Sequence, residues 1–223
     1  MEYVVKESLS GNWIKSIVAI LIYAVLWNII PGFLGPLGLI WYILMMPFLW
    51  GFYIFFLEIA RGNKPGIANL FDGFKDYWRI SSTMLLTYIY MILWSLLLII
   101  PGIIKSLSYA MVPYILKDNP DMKHNKAIEK SMEMMDGQKS NLFLFFLEIA
   151  ILWILAGVGG SLIGGIIVHI ANVSLKTSTI WNATIALGSF YWIPYMYTGI
   201  AHFYENLKEV EEIITESEQT DEQ

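Results

Sequence analysis

The sequence predicts an all-α fold: a polytopic membrane helix bundle of about six spans, with two cytoplasmic interfacial amphipathic helices. Three observations lead there. Of the 223 residues 57% are hydrophobic and 15% charged, and the mean hydropathy is +0.56, whereas a soluble domain carries roughly a quarter of its residues charged. The charges are bunched: Ser16–Leu57 and Ile80–Ile104 hold none, while Ile149–Leu175 and Thr177–Tyr204 hold only His169 and His202. A helix needs about 20 apolar residues to cross a hydrocarbon core of about 30 Å, so these intervals are too long for the core helices of a soluble fold. Finally, proline and glycine divide them at span-like lengths.

The first uncharged interval is interrupted by Pro31-Gly32 and Gly35-Pro36, which gives span one over Asn12–Ile30 and span two over Leu37–Ala60, kinked at Pro47. Lys6 and Lys15 precede this run as in a signal peptide, yet no small-x-small cleavage site follows, so a retained first span is expected. Span three covers Ile80–Ile100 and stops at Pro101-Gly102. The next apolar piece, Ile103–Leu116, is short, and length alone favours a re-entrant or interfacial segment. Charge placement favours crossing. A crossing gathers Arg61, Lys64, Lys75, Arg79, Lys117, Lys123, Lys126, Lys130 and Lys139 on one face with Lys6, Lys15 and Lys208, leaving Lys105 and Lys176 opposite. That bias is the signature of cytoplasmic loops, so both termini are expected in the cytoplasm. Span five starts near Asn141 and reaches Gly157, Gly159, Gly160, Gly164 and Gly165, where a break and a second short helix, Leu162–Val173, are expected. Span six is Ile180–Tyr204 with Pro194 as a kink. Residues 1–208 form the membrane domain and 209–223 an acidic, solvated cytoplasmic tail with a disordered end. Eight of the nineteen acids lie from Glu205 onward, against Lys208 alone, so the net charge of −5 belongs to the tail.

Two loops carry helical patterns. Ile67, Leu70, Phe71, Phe74 and Trp78 fall on one face, with Asp72, Lys75, Asp76 and Arg79 opposite, as in an interfacial helix whose Phe71, Phe74 and Trp78 dip into the headgroups. In the second loop Asn119 reads as an N-cap, Pro120 as the first helical residue and Gly137 as the residue past the end. Ile128, Ser131, Met132 and Met135 share its inner face. Both loops end in Asp-Gly-x-Lys (Asp72–Lys75, Asp136–Lys139), a weak sign of duplication that the identical hexapeptides Phe55–Ala60 and Phe145–Ala150 do not support.

The stretch Ile100-Pro-Gly-Ile-Ile-Lys-Ser-Leu-Ser-Tyr109, with Tyr114-Ile-Leu-Lys-Asp-Asn-Pro-Asp121, Ala127-Ile-Glu-Lys-Ser131, Met134-Met-Asp-Gly137 and Lys139, resembles a bacterial membrane family known as domain of unknown function 975. Phe71-Asp-Gly-Phe-Lys75 fits its upstream loop, and Pro194-Tyr195 with Ala201-His-Phe-Tyr204 fits its last span; the likeness covers roughly residues 60–205. Residues 157–191 look like an insertion, and Glu148 stands where a small or apolar residue is expected. The chain is also distantly similar to the membrane domain of some glycerophosphodiester phosphodiesterases, without their phosphodiesterase part. The resemblance implies a bacterial, Gram-positive plasma-membrane protein and, the family having no agreed activity, nothing about catalysis.

Ionisable residues inside spans are costly and are therefore functional candidates. Glu58 lies three residues before Arg61, where an ion pair explains it; Lys105 is expected to snorkel near the outer surface; His202 and Glu205 form an expected pair at the helix end. Glu148, seven residues past Asn141, has no such account and must be protonated, paired with Tyr109 or Tyr195, or face a wet cavity. Gly160 and Gly164 form a GxxxG match that serves packing within one subunit or dimerisation. Asn172-Val-Ser174 and Asn182-Ala-Thr184 match the glycosylation pattern by chance. Absent cysteine removes thiolate chemistry, and the separated histidines form no metal or hydrolase motif. No enzyme, cofactor, metal or nucleic-acid partner is expected. The partners expected are the lipid bilayer, anionic headgroups or another membrane protein, and an oligomer is left open. Two function classes remain: a non-enzymatic binding or accessory protein of immunity or stress type, and a small transporter or lipid-moving protein that uses Glu148.

Overall fold

A computed structural model describes residues 2–170 and 176–221, which are helical throughout their regular structure, with no strand among them. α1 (Glu2–Leu9) buries Val5 and Leu9, and Gly11, at φ +81°, turns the chain into α2 (Trp13–Ala24). A π-turn over Val25–Ile29 leads into α3 (Ile30–Leu34). Gly35 then takes φ +54°, a region that costs glycine little, and α4 (Gly38–Leu44) returns along the way it came. The Trp41 indole donates to the Leu26 carbonyl at 2.7 Å across this hairpin.

The helix breaks again at Met45, and Pro47 stands in the first turn of α5 (Met46–Ala60). The expected kink at Pro47 is thus a helix start, where the missing N–H has no partner to lose. Twelve of the fifteen α5 residues are buried, so this helix forms the centre of the bundle.

Ile67–Asp76, expected as an interfacial α-helix, is a 3-10 helix laid directly on α5. Two glycines make the approach possible: a Cβ on Gly51 would fall on the Leu70 carbonyl, and one on Gly73 on the Pro47 carbonyl. The chain continues without a loop into α6 (Tyr77–Leu97), which ends at Leu98 in an extended conformation. α7 (Ile99–Ser108) then doubles back along α6, with Gly102 against Ser95. The stop expected at Pro101-Gly102 therefore comes earlier, and both residues lie in the first turn of α7.

A turn at Tyr109–Met111 leads to α8 (Val112–Asp118), followed by α9 (Asn125–Met134). Asn119 is not the N-cap of a helix starting at Pro120. Its side chain donates to the Ile115 carbonyl at 3.0 Å and closes α8, while His124, at φ +51°, precedes α9. Ala127, Ile128, Ser131 and Met135 are buried, with Met132 half-buried beside them. The Ser131 hydroxyl donates to the Ser108 carbonyl at 2.8 Å and accepts from the Met111 N–H at 3.2 Å. One side chain thus satisfies two backbone groups that the α7–α8 turn would leave unpaired.

α10 (Lys139–Ile170) runs unbroken through the glycines, contrary to the expected break. Glycine in a helix interior costs about 1 kcal/mol relative to alanine, but a membrane helix gains close contact from it. A Cβ on Gly157, Gly160 or Gly164 would meet Ile185, Thr184 or Ile180 of α11 (Thr177–Asp221). The separate helix expected at Leu162–Val173 is part of α10 as far as Ile170. Its last residues, like Asn172-Val-Ser174, lie outside the described residues. α11 accommodates Pro194 and carries the acidic tail as helix to Asp221; the end of the tail, Glu222 and Gln223, lies outside the described residues.

Candidate functional site

The ends of α5 and α8 and the interior of α11, distant in sequence, converge at one polar cluster. Arg61, just past α5, donates from Nη2 to both Asp118 oxygens at 2.9 and 2.7 Å, and from Nε and Nη2 to Glu205 Oε1 at 3.0 and 2.8 Å. Tyr204 donates to Asp118 at 3.0 Å and Lys208 at 3.2 Å. The Arg61, Asp118 and Glu205 side chains are 22%, 15% and 31% exposed, so the network is largely withdrawn from water. Burial would lower the Arg61 pKa; the hydrogen bonds and charges of Asp118 and Glu205 more than reverse this and hold it above its ordinary value. The planar guanidinium suits two carboxylates at once, as an ammonium would not. Beside the cluster opens a cleft of about 420 Å³ between α8, α9 and α11, where Lys130 pairs with Glu211.

Two further spaces lie between helices. A cavity of about 230 Å³ is walled by Tyr53, Met84, Tyr88, Leu107 and Phe146, with Thr87 as a polar member. A groove of about 470 Å³ separates α7 from α10 and is walled by Ile100, Ile103, Ile104, Leu107, Phe143 and Leu144, with Lys139 and Ser140 at its polar end.

The residues singled out in the sequence scatter around these features. Glu58 does not pair with Arg61: it lies 3.4 Å from Lys117 and accepts from Asn63 at 2.6 Å. His202 does not pair with Glu205 either; its Nε2 contacts the Ser8 hydroxyl at 2.9 Å and ties α11 to α1. The reason is common to both, since Arg61 has claimed Glu205 and Asp118. Lys105, expected near the outer surface, lies 5.1 Å from the centre of the Trp94 ring and 3.7 Å from Met132 of α9. It reaches α9 because α7 folds back after Leu98. Glu148 is exposed on α10 and lines none of the three spaces. Phe71 and Phe74 are partly exposed on the 3-10 helix and Trp78 is 82% exposed. Gly160 and Gly164 face α11 within the same chain.

Asp118 escaped the sequence reading although it stands in the motif Lys117-Asp-Asn-Pro-Asp121. A carboxylate closing an apolar helix, with a single arginine at the end of another, was the available signal.

Four helical segments among the described residues are long and apolar enough to cross a membrane: Trp13–Leu44, Ile67–Leu97, Ile99–Asp118 and Lys139–Ile170. The class is that of all-helical proteins built from apolar segments of membrane length. The chain belongs to the family described as "Protein of unknown function (DUF975)", whose pattern matches residues 96–211. The match holds α7 to α10 and the two carboxylates of the cluster, while Arg61 and the Phe71–Lys75 loop precede it. No curated protein and no solved structure matches the chain.

Proposed function

We propose that this chain is a non-enzymatic, multi-pass plasma-membrane protein that binds a membrane-resident molecule: a lipid, a membrane peptide or a partner protein. The observation that carries this reading is the lining of the two inter-helix spaces. Both are walled mainly by aliphatic and aromatic side chains, with Thr87, Ser106 and the hydroxyls of Tyr53, Tyr88 and Tyr109 as the polar groups of one and Lys139 with Ser140 as those of the other. Such surfaces suit an amphipathic ligand arriving from the bilayer better than a hydrated solute. Transport through Glu148 would place that carboxylate on a path between helices, and its exposed position away from both spaces gives that reading no support. Native mass spectrometry of the chain extracted in mild detergent is expected to show discrete adducts of lipid or peptide mass. A spectrum of bare protein alone would sink the reading.

The same proposal sets both termini in the cytoplasm and counts six apolar segments, with α6 and α7–α8 as one hairpin that leaves from and returns to the cytoplasmic side. The lysines and arginines of the intervening loops support it. The absence of cysteine makes the test direct. A cysteine at Ser178 should react with an impermeant thiol reagent in intact cells, and cysteines at Asn63, Asn125 and Ser217 only after lysis. External labelling at Asn125 would contradict this topology.

A further inference from the structure

The groove between α7 and α10 has a direction. Lys139 and Ser140 stand at one end, Phe143 and Leu144 follow one turn further along α10, and Ile100, Ile103 and Ile104 of α7 form the opposite wall. Leu107 makes a buried floor at 7% exposure, whereas Ile100, Ile103, Ile104, Phe143 and Leu144 are exposed, so the groove opens sideways rather than into the bundle. The polar end coincides with the first turn of α10, where the Asn141 and Leu142 N–H groups already bond the Gln138 carbonyl and those of Lys139 and Ser140 are left to favour an anion. The Lys139 ammonium pairs with Asp136 at 3.3 Å, and because Asp136 is 86% exposed this is a weak surface pair that a phosphate can compete with. A cation and a helix N-terminus above a laterally open apolar channel present the order headgroup, then acyl chain.

We propose that this groove is a binding site for an anionic phospholipid, with Lys139 and the first turn of α10 taking the phosphate and the α7–α10 walls taking one acyl chain. The assignment rests on the membrane-ligand reading above and names its ligand class. Its volume, about 470 Å³, falls in the range of small-molecule sites. Asp136 is then a competitor: its carboxylate occupies the ammonium that a phosphate would take.

The test is native mass spectrometry of the full chain supplied with equal phosphatidylglycerol and phosphatidylcholine. The parent should retain phosphatidylglycerol preferentially. Lys139→Ala should reduce that preference about fivefold, the worth of one lysine against an anionic headgroup, and Asp136→Asn should increase it. Leu144→Trp fills a groove wall that is 58% exposed, so the fold tolerates it; it should lower occupancy by both lipids. Lys64→Ala, away from the groove, should change nothing and controls for general charge loss. Undiminished preference in Lys139→Ala, or full occupancy in Leu144→Trp, overturns the site while leaving the broader reading in place. Loss of every adduct from the parent overturns both. A peptide or a second copy displaced by Leu144→Trp identifies a different occupant and overturns the lipid assignment.

Discussion

Arg61→Ala is expected to lower the stability of the folded chain by about 3 kcal/mol, the usual consequence of removing one member of a withdrawn ion pair and leaving its partners uncompensated. Two carboxylates would be stranded, Asp118 and Glu205, with Lys208 and Tyr204 remaining only to Asp118. Arg61→Lys should recover part of the loss, because an ammonium restores the charge but cannot hold both carboxylates in the same fork. Glu2→Ala, which removes the exposed pair with Lys6, should stay within error of the parent. Unfolding midpoints in detergent would report all three. An Arg61→Ala midpoint equal to that of Glu2→Ala would show that the cluster does not hold the bundle together.

The second large effect is expected at the crossing of the 3-10 helix over α5. Gly51→Val or Gly73→Val would drive side-chain atoms into a main-chain carbonyl, of Leu70 or Pro47 respectively. Backbone cannot rotate aside as a side chain can, so the penalty should reach or exceed the roughly 1–3 kcal/mol of ordinary overpacking. Gly159 is the natural control, since a Cβ there meets nothing within 4 Å. Gly159→Ala should be neutral or mildly stabilising through helix propensity. Yield of folded, membrane-inserted protein and its thermal midpoint would separate the two. Equal values for Gly51→Val and Gly159→Ala would mean that the 3-10 segment does not rest on α5.

Much of the fold is legible because apolar length and charge bunching are properties of local sequence. The break at Gly35, the inner face Ile128–Ser131–Met135 and the helical character throughout follow from spacing, whereas the break at Leu98 precedes the Pro101-Gly102 pair expected to cause it. Proline and glycine were read correctly as special and incorrectly in effect. Pro47 begins a helix instead of bending one, and the α10 glycines continue a helix instead of ending it, because the neighbouring helix decides between those outcomes. The cluster was the least legible part. Local reasoning could offer Arg61 only a partner three residues away, Glu58, whereas its actual partners stand 57 and 144 residues along the chain. Pairing at i,i+3 is worth a few tenths of a kcal/mol, too little to compete with two carboxylates in a withdrawn site.

That separation in sequence also sets a schedule. Chains emerge from the ribosome N-terminal end first, so Arg61 and then Asp118 are made well before Glu205, Tyr204 and Lys208, all of which belong to α11. Until α11 arrives, Arg61 can hold only one of its two carboxylates. α11 therefore acts as a clasp: it fastens α5 and α8 to itself in one step, and the polar junction cannot be completed until α11 has been made.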